Sequence, residues 1–164
     1  MFTRTAKAGA VLLMAAYLTL VAFGNVADYD ANLGFVTHVM TMDTTFRSEA
    51  SMWRAVDSPA LHHAAYIAII ALQAAAALLC WIGGVRLLSR LREPHLFHAA
   101  KAPALAGLGL GAFIWFGLFL VVANEWFLMW QSSEWNAKPT AFNLALLTFL
   151  VLVFVALRDN DADA

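Results

Sequence analysis

Two glutamates, Glu125 and Glu134, each stand directly before a tryptophan in the stretch Val121 to Pro139, after the uncharged run Ala102 to Asn124. A carboxylate with apolar residues on both sides needs a partner or a raised pKa, so Glu125 is where proton-transfer chemistry would be sought. The polar side chains best able to reach it are Asn25, His62, His63, Asn124 and Asn143, near the ends of four different apolar runs, and they are expected to converge with Glu125 in one polar cluster inside the bundle. Glu134, within QSSEWN, reads as a solvated loop residue. A second set, His38, Met40, Met42 and His62, combines imidazole with thioether, the ligand mix that suits Cu(I), and also offers axial ligands to haem. Against that set, H-x-M-x-M points one way only on a strand, whereas this segment has helical spacing. His62 and His63 also stand about 100° apart on a helix, too far to meet one ion. The sequence has no P-loop, HExxH, CxxC or Ser-His-Asp order, so no catalytic residue is assigned.

These residues need a scaffold, and composition says which. The chain is 62% hydrophobic and 13% charged, against about 25% charged in a soluble domain. Four uncharged runs, Ala8 to Ala27, Ser58 to Val85, Ala102 to Asn124 and Pro139 to Leu157, are each long enough to cross about 30 Å of hydrocarbon as a helix. They are continuously apolar rather than alternating, which disfavours barrel strands. The expectation is an all-α integral membrane bundle forming one domain over 1–164, with spans at about 8–27, 59–85, 102–130 and 139–157. Seven of the ten Lys and Arg (Arg4, Lys7, Arg86, Arg90, Arg92, Lys101, Arg158) fall on one side of those spans, and Arg47, Arg54 and Lys138 on the other. The positive-inside rule then places both termini in the cytoplasm of a bacterial inner membrane, with 28–57 and 125–138 outside. The N-terminus has the layout of a signal peptide, but its apolar run is long enough to span, and a retained helix is the simpler reading. A net charge of -1 offers nothing to nucleic acid; the bilayer is the expected partner, and the basic loop 86–101 suits anionic headgroups.

The first outer connection has helical spacing, with Phe35, Val39, Met42 and Phe46 expected on one face of an interfacial helix that caps the bundle. Trp126 and Trp130, one turn apart if the third helix continues past Asn124, should shelter under it, with Trp135 and Trp53 at the same headgroup depth. Ser58-Pro59 reads as a helix start, Gly107 and Gly111 as a small-residue contact between helices, Cys80 as apolar packing and Gln73 as an interhelical hydrogen bond.

Together FVTHVMTMDTTF, LHHAAY and EWFLMWQSSEWN resemble, in the same order along nearly the whole chain, a family of bacterial predicted small integral membrane proteins of unassigned function. The resemblance implies a four-helix membrane domain with both polar connections on one side, and no activity. Three functions fit these readings. The first is an accessory or assembly subunit of a larger membrane complex, acting through the outer cap. The second is copper or haem binding at the outer face, and the third is a small-solute transporter or enzyme using Glu125.

Overall fold

Each uncharged run becomes a long helix. The structure, a computed structural model, describes residues 1–159; the last five residues of the expected 1–164 domain lie outside the described residues. In chain order the helices are α1 (Phe2–Ala27), α2 (Tyr29–Thr41), α3 (Glu49–Met52), α4 (Pro59–Ser89), α5 (Pro94–Ala99), α6 (Ala102–Ala112) and α7 (Lys138–Ala156). A π-helix, Phe113–Trp126, carries α6 onward without a break, and a single 3-10 turn, Met129–Gln131, follows it. No strand occurs among the described residues. Four of these bodies are long and apolar enough to cross a membrane: α1, α4, the continuous α5–α6–π segment and α7.

The helices overrun the uncharged stretches at several ends. α1 starts at Phe2 rather than near residue 8, and α4 runs past Val85 to Ser89, because Lys and Arg are good helix formers and nothing in those flanks breaks a helix. Pro59 occupies the first turn of α4 as expected, but Ser58 is extended and its side chain makes no capping bond. α4 and α6 cross closely. A Cβ on Gly107 would lie 2.7 Å from Cys80 Sγ and 2.8 Å from Cys80 N, and one on Gly83 would collide with the Ala104 backbone. Only glycine permits that approach. Gly111 is less constrained, since a Cβ there would make an ordinary 3.4 Å contact with Thr148.

Two expectations about the third span and the cap are corrected. The third helix ends at Trp126 rather than near residue 130, where Leu128 adopts a left-handed conformation (φ 55°), so Trp126 and Trp130 belong to different segments. The cap helix ends at Thr41, with Met42 left-handed (φ 54°), and Phe46 lies beyond it. Asp43, Thr44 and Thr45 follow, side chains that compete with helical bonding; Thr45 Oγ1 donates to Met42 O at 2.7 Å. Val39 and Met42 nevertheless bury together against Phe127 and Met129, fastening α2 to the end of the third span.

Candidate functional site

Polar side chains gather at both ends of the bundle, and the two ends are built differently. At the end covered by α2 and α3, here the capped end, the bonds are mostly neutral. Val56 N donates to Met40 O at 2.9 Å, and Val56 O pairs with Nε2 of the buried His62 at 2.7 Å. Thr44 Oγ1 donates to Ser132 Oγ at 2.8 Å, Phe46 N to Gln131 Oε1 at 3.0 Å, and Arg54 Nη1 to Trp126 O at 3.1 Å. Aromatic edges complete it, with Phe46 T-shaped on Trp130 (5.9 Å) and Trp53 T-shaped on Trp126 (5.6 Å). Phe35 stacks on Phe119 and meets Trp135 edge-on.

The residues expected to converge on Glu125 separate into five groups. Asn25 Nδ2 donates to Gln73 Oε1 at 2.7 Å, and its carbonyl accepts from Tyr66 at 2.8 Å. His62 turns to Val56, while the exposed His63 pairs its Nδ1 with Tyr29 Oη at 2.9 Å. Asn143 is exposed on α7. Asn124 is buried and donates to Glu125 Oε1 at 2.6 Å, whereas Glu125 itself is exposed and does not face the interior.

The π-helix explains that reversal. Successive residues of an α-helix turn by 100°, which would put Glu125 within about 20° of the fully buried Ile114. With i→i+5 bonds, of which Phe127 N to Val122 O (3.0 Å) is the last, each residue turns by only roughly 80–85°. Over this stretch the difference accumulates to about half a turn, so Asn124 lines up with buried Trp115 and Glu125 swings outward. The wider helix exchanges an acid for an amide on the buried face.

Three of the four proposed metal ligands are committed elsewhere, and Met40 is half-buried on α2. His38 Nδ1 lies 2.7 Å from Asp43 Oδ2, and its ring stacks on Trp135 at 4.5 Å. Met42 is fully buried in the apolar cluster with Val39, and His62 is engaged by Val56. Among the described residues no three His, Cys, Asp or Glu are grouped to hold an ion.

Sequence reasoning missed the opposite end altogether. There Asp159 lies between two lysines: Lys7 Nζ at 3.0 Å from Oδ1 and Lys101 Nζ at 2.7 Å from Oδ2, all three side chains at least 97% buried. Both ammonium groups also donate to Leu157 O, at 2.6 and 2.8 Å, so they cap the C-terminus of α7 where its dipole is negative. Phe154 and Phe97 offer ring faces to Lys7 and Lys101. Burial alone would raise the Asp159 carboxyl; hydrogen bonds and charge from Lys101 and Lys7 outweigh it and hold the group below its ordinary 3.8. The signal was in the sequence: Lys7, Lys101 and Asp159 each stand at the margin of a different span on the same side, but counting lysines only for topology hid a possible pairing.

A four-helix integral membrane bundle, closed at one end by a hydrogen-bonded aromatic cap and at the other by a buried ion triad, is the class of protein this architecture defines. Over residues 3–158 the chain matches the model of the family described as Predicted small integral membrane protein (DUF2165), and it belongs to that family. Neither curated proteins nor solved structures show a match to it.

Proposed function

We propose that this integral membrane protein is a non-catalytic accessory or assembly subunit of a larger membrane complex, and that it docks its partner through the capped end. The observation that supports this reading is the pair of preset aromatic edges. Phe46 and Trp53 are 72% and 70% exposed, yet each is fixed against a tryptophan, Phe46 on Trp130 in the 3-10 turn and Trp53 on Trp126 at the end of the third span, and Phe46 N donates to Gln131. A headgroup belt needs only single indole rings at the right depth. Rigid, exposed aromatic pairs are pre-organised for a protein surface, where Trp and Phe are the enriched anchors and little side-chain entropy is lost on docking. Glu125 and the histidines, each engaged separately, support no shared proton path.

We place both termini on the cytoplasmic side of a bacterial inner membrane, from the bias of Lys and Arg toward the end that carries Lys7 and Lys101. Reporter fusions at Met52 and Glu93 then give opposite answers; the same answer from both would remove the four-span arrangement.

The docking test is purification of the untagged protein from its native membrane in mild detergent, with mass spectrometry and an absorption spectrum. A stoichiometric protein partner, lost from the Phe46→Ser/Trp53→Ser double variant, is the expected result. A monodisperse particle of this chain alone would overturn the reading, and a Soret band or bound copper would replace it with the metal-binding one.

A further inference from the structure

Arg54 and Glu125 carry opposite charges in neighbouring positions, and they do not pair. Arg54, two residues past α3, donates from Nη1 to the carbonyl of Trp126, the residue after Glu125, yet no ion pair joins the two among the described residues. The guanidinium is held in place by rings: its Cζ lies 5.8 Å from the Trp53 ring centroid and 5.6 Å from that of Trp126, and the two indoles meet edge to face. Cation–π contact with two rings fixes the fork without consuming its donors. Nε is buried with no hydrogen-bond partner among the described residues, and Nη2 has none there either. Glu125, exposed, accepts from Asn124 through Oε1, which leaves Oε2 open.

An apolar groove of about 580 Å³ runs from these charges toward the bilayer interior. Its lining is Val121, Val122, Glu125, Trp126 and Phe127, and both valines are exposed. Val121 stands four residues before Glu125, so the valines lie up to about 6 Å deeper than the headgroup level that the Trp126 indole marks. Charges therefore sit at headgroup depth with the apolar wall below them, the order in which a phospholipid carries its own groups.

We infer that this site holds one phospholipid with an ammonium headgroup, its phosphate on Arg54, its ammonium on Glu125 and an acyl chain along Val121 and Val122. An ethanolamine headgroup sets its ammonium two carbons from its phosphate, so one molecule offers the complement of each unpaired charge. The groove supplies no net drive, because lipid tails are as apolar as its walls. Retention comes from charge-assisted bonds, which are stronger than neutral ones and are made here to a guanidinium already fixed by its rings. An anionic headgroup without an ammonium would satisfy Arg54 and leave Glu125 facing a phosphate. The inference rests on no part of the docking role proposed above.

The test is reconstitution of the full chain in vesicles of equal parts phosphatidylethanolamine and phosphatidylglycerol, extraction in mild detergent and native mass spectrometry. Wild type should retain one phosphatidylethanolamine per chain, favoured about fivefold over phosphatidylglycerol, the worth of one exposed ion pair. Glu125→Gln should keep its helical circular dichroism and retain the two lipids equally. Arg54→Gln should weaken retention of both about tenfold, the worth of a charged hydrogen bond. Excess inorganic phosphate, which has neither ammonium nor chain, should displace nothing. Absence of retained lipid in wild type, equal retention of both lipids by wild type, an unchanged preference in Glu125→Gln, undiminished retention by Arg54→Gln, or displacement by inorganic phosphate would each overturn the inference.

Discussion

The capped end and the Lys7–Asp159–Lys101 end both close the bundle with buried polar groups, but one distributes the task over many neutral bonds and the other concentrates it in a single carboxylate. At the capped end the bonds of Val56 to Met40 and His62, of Thr44 to Ser132 and of Phe46 to Gln131 are separate and of ordinary length, so the loss of any one leaves the rest in place. At the other end, one acid compensates two buried ammonium groups from α1 and the start of the third span, and one carbonyl of α7 accepts from both. Distributed neutral bonding should tolerate substitution. Concentrated charge should not, because breaking one partner strands the others.

The largest effect should follow from Asp159→Asn, which removes the one counter-charge that buried Lys7 and Lys101 have among the described residues and should cost about 3–5 kcal/mol in thermal or denaturant unfolding. Acid should act in the same direction. The folded-state carboxyl is held below its ordinary value, so its contribution is complete above about 4 and disappears as pH falls through the folded value. A melting temperature that drops in that window for wild type, but much less for Asp159→Asn, would locate the effect.

A smaller loss should follow from Lys101→Met, since Asp159 keeps Lys7; about 1–3 kcal/mol is expected, the cost of one charged hydrogen-bond partner. His62→Phe should cost about 1 kcal/mol, because Val56 O loses one partner while Val56 N keeps Met40. If His62→Phe proved as damaging as Asp159→Asn, the contrast between distributed and concentrated bonding would fail. The smallest effect is expected at Glu125→Gln, within about 0.5 kcal/mol, because Glu125 is exposed and Gln Oε1 can still accept from Asn124.

Much of the scaffold was legible because hydrocarbon leaves few alternatives: an uncharged run of twenty residues must be a helix, and a lone amide within one, Gln73, must find a neighbour, here Asn25. Pro59 likewise announced the start of α4. Side-chain direction was not legible in the third span, since the reading assumed 100° per residue and nothing in FIWFGLFLVVANEW signals i→i+5 bonding. That single assumption misdirected Glu125. Phe46 fitted the helical spacing by number alone, whereas the following Asp-Thr-Thr chemistry ended the helix at Thr41. The ion triad was hidden for another reason: Asp159 is 152 residues from Lys7 and 58 from Lys101, so only the packing of α1 and the third span against the end of α7 brings them together.

Hydrogen exchange on Asp159→Asn beside wild type, in the same lipid, tests the two-ended account most directly. The account predicts faster exchange at the Phe2–Val11 and Val153–Leu157 amides, with Val36–Met42 and Met52–Val56 at the capped end unchanged. Equal loss of protection at both ends, or no loss around Lys7 and Leu157, would contradict it.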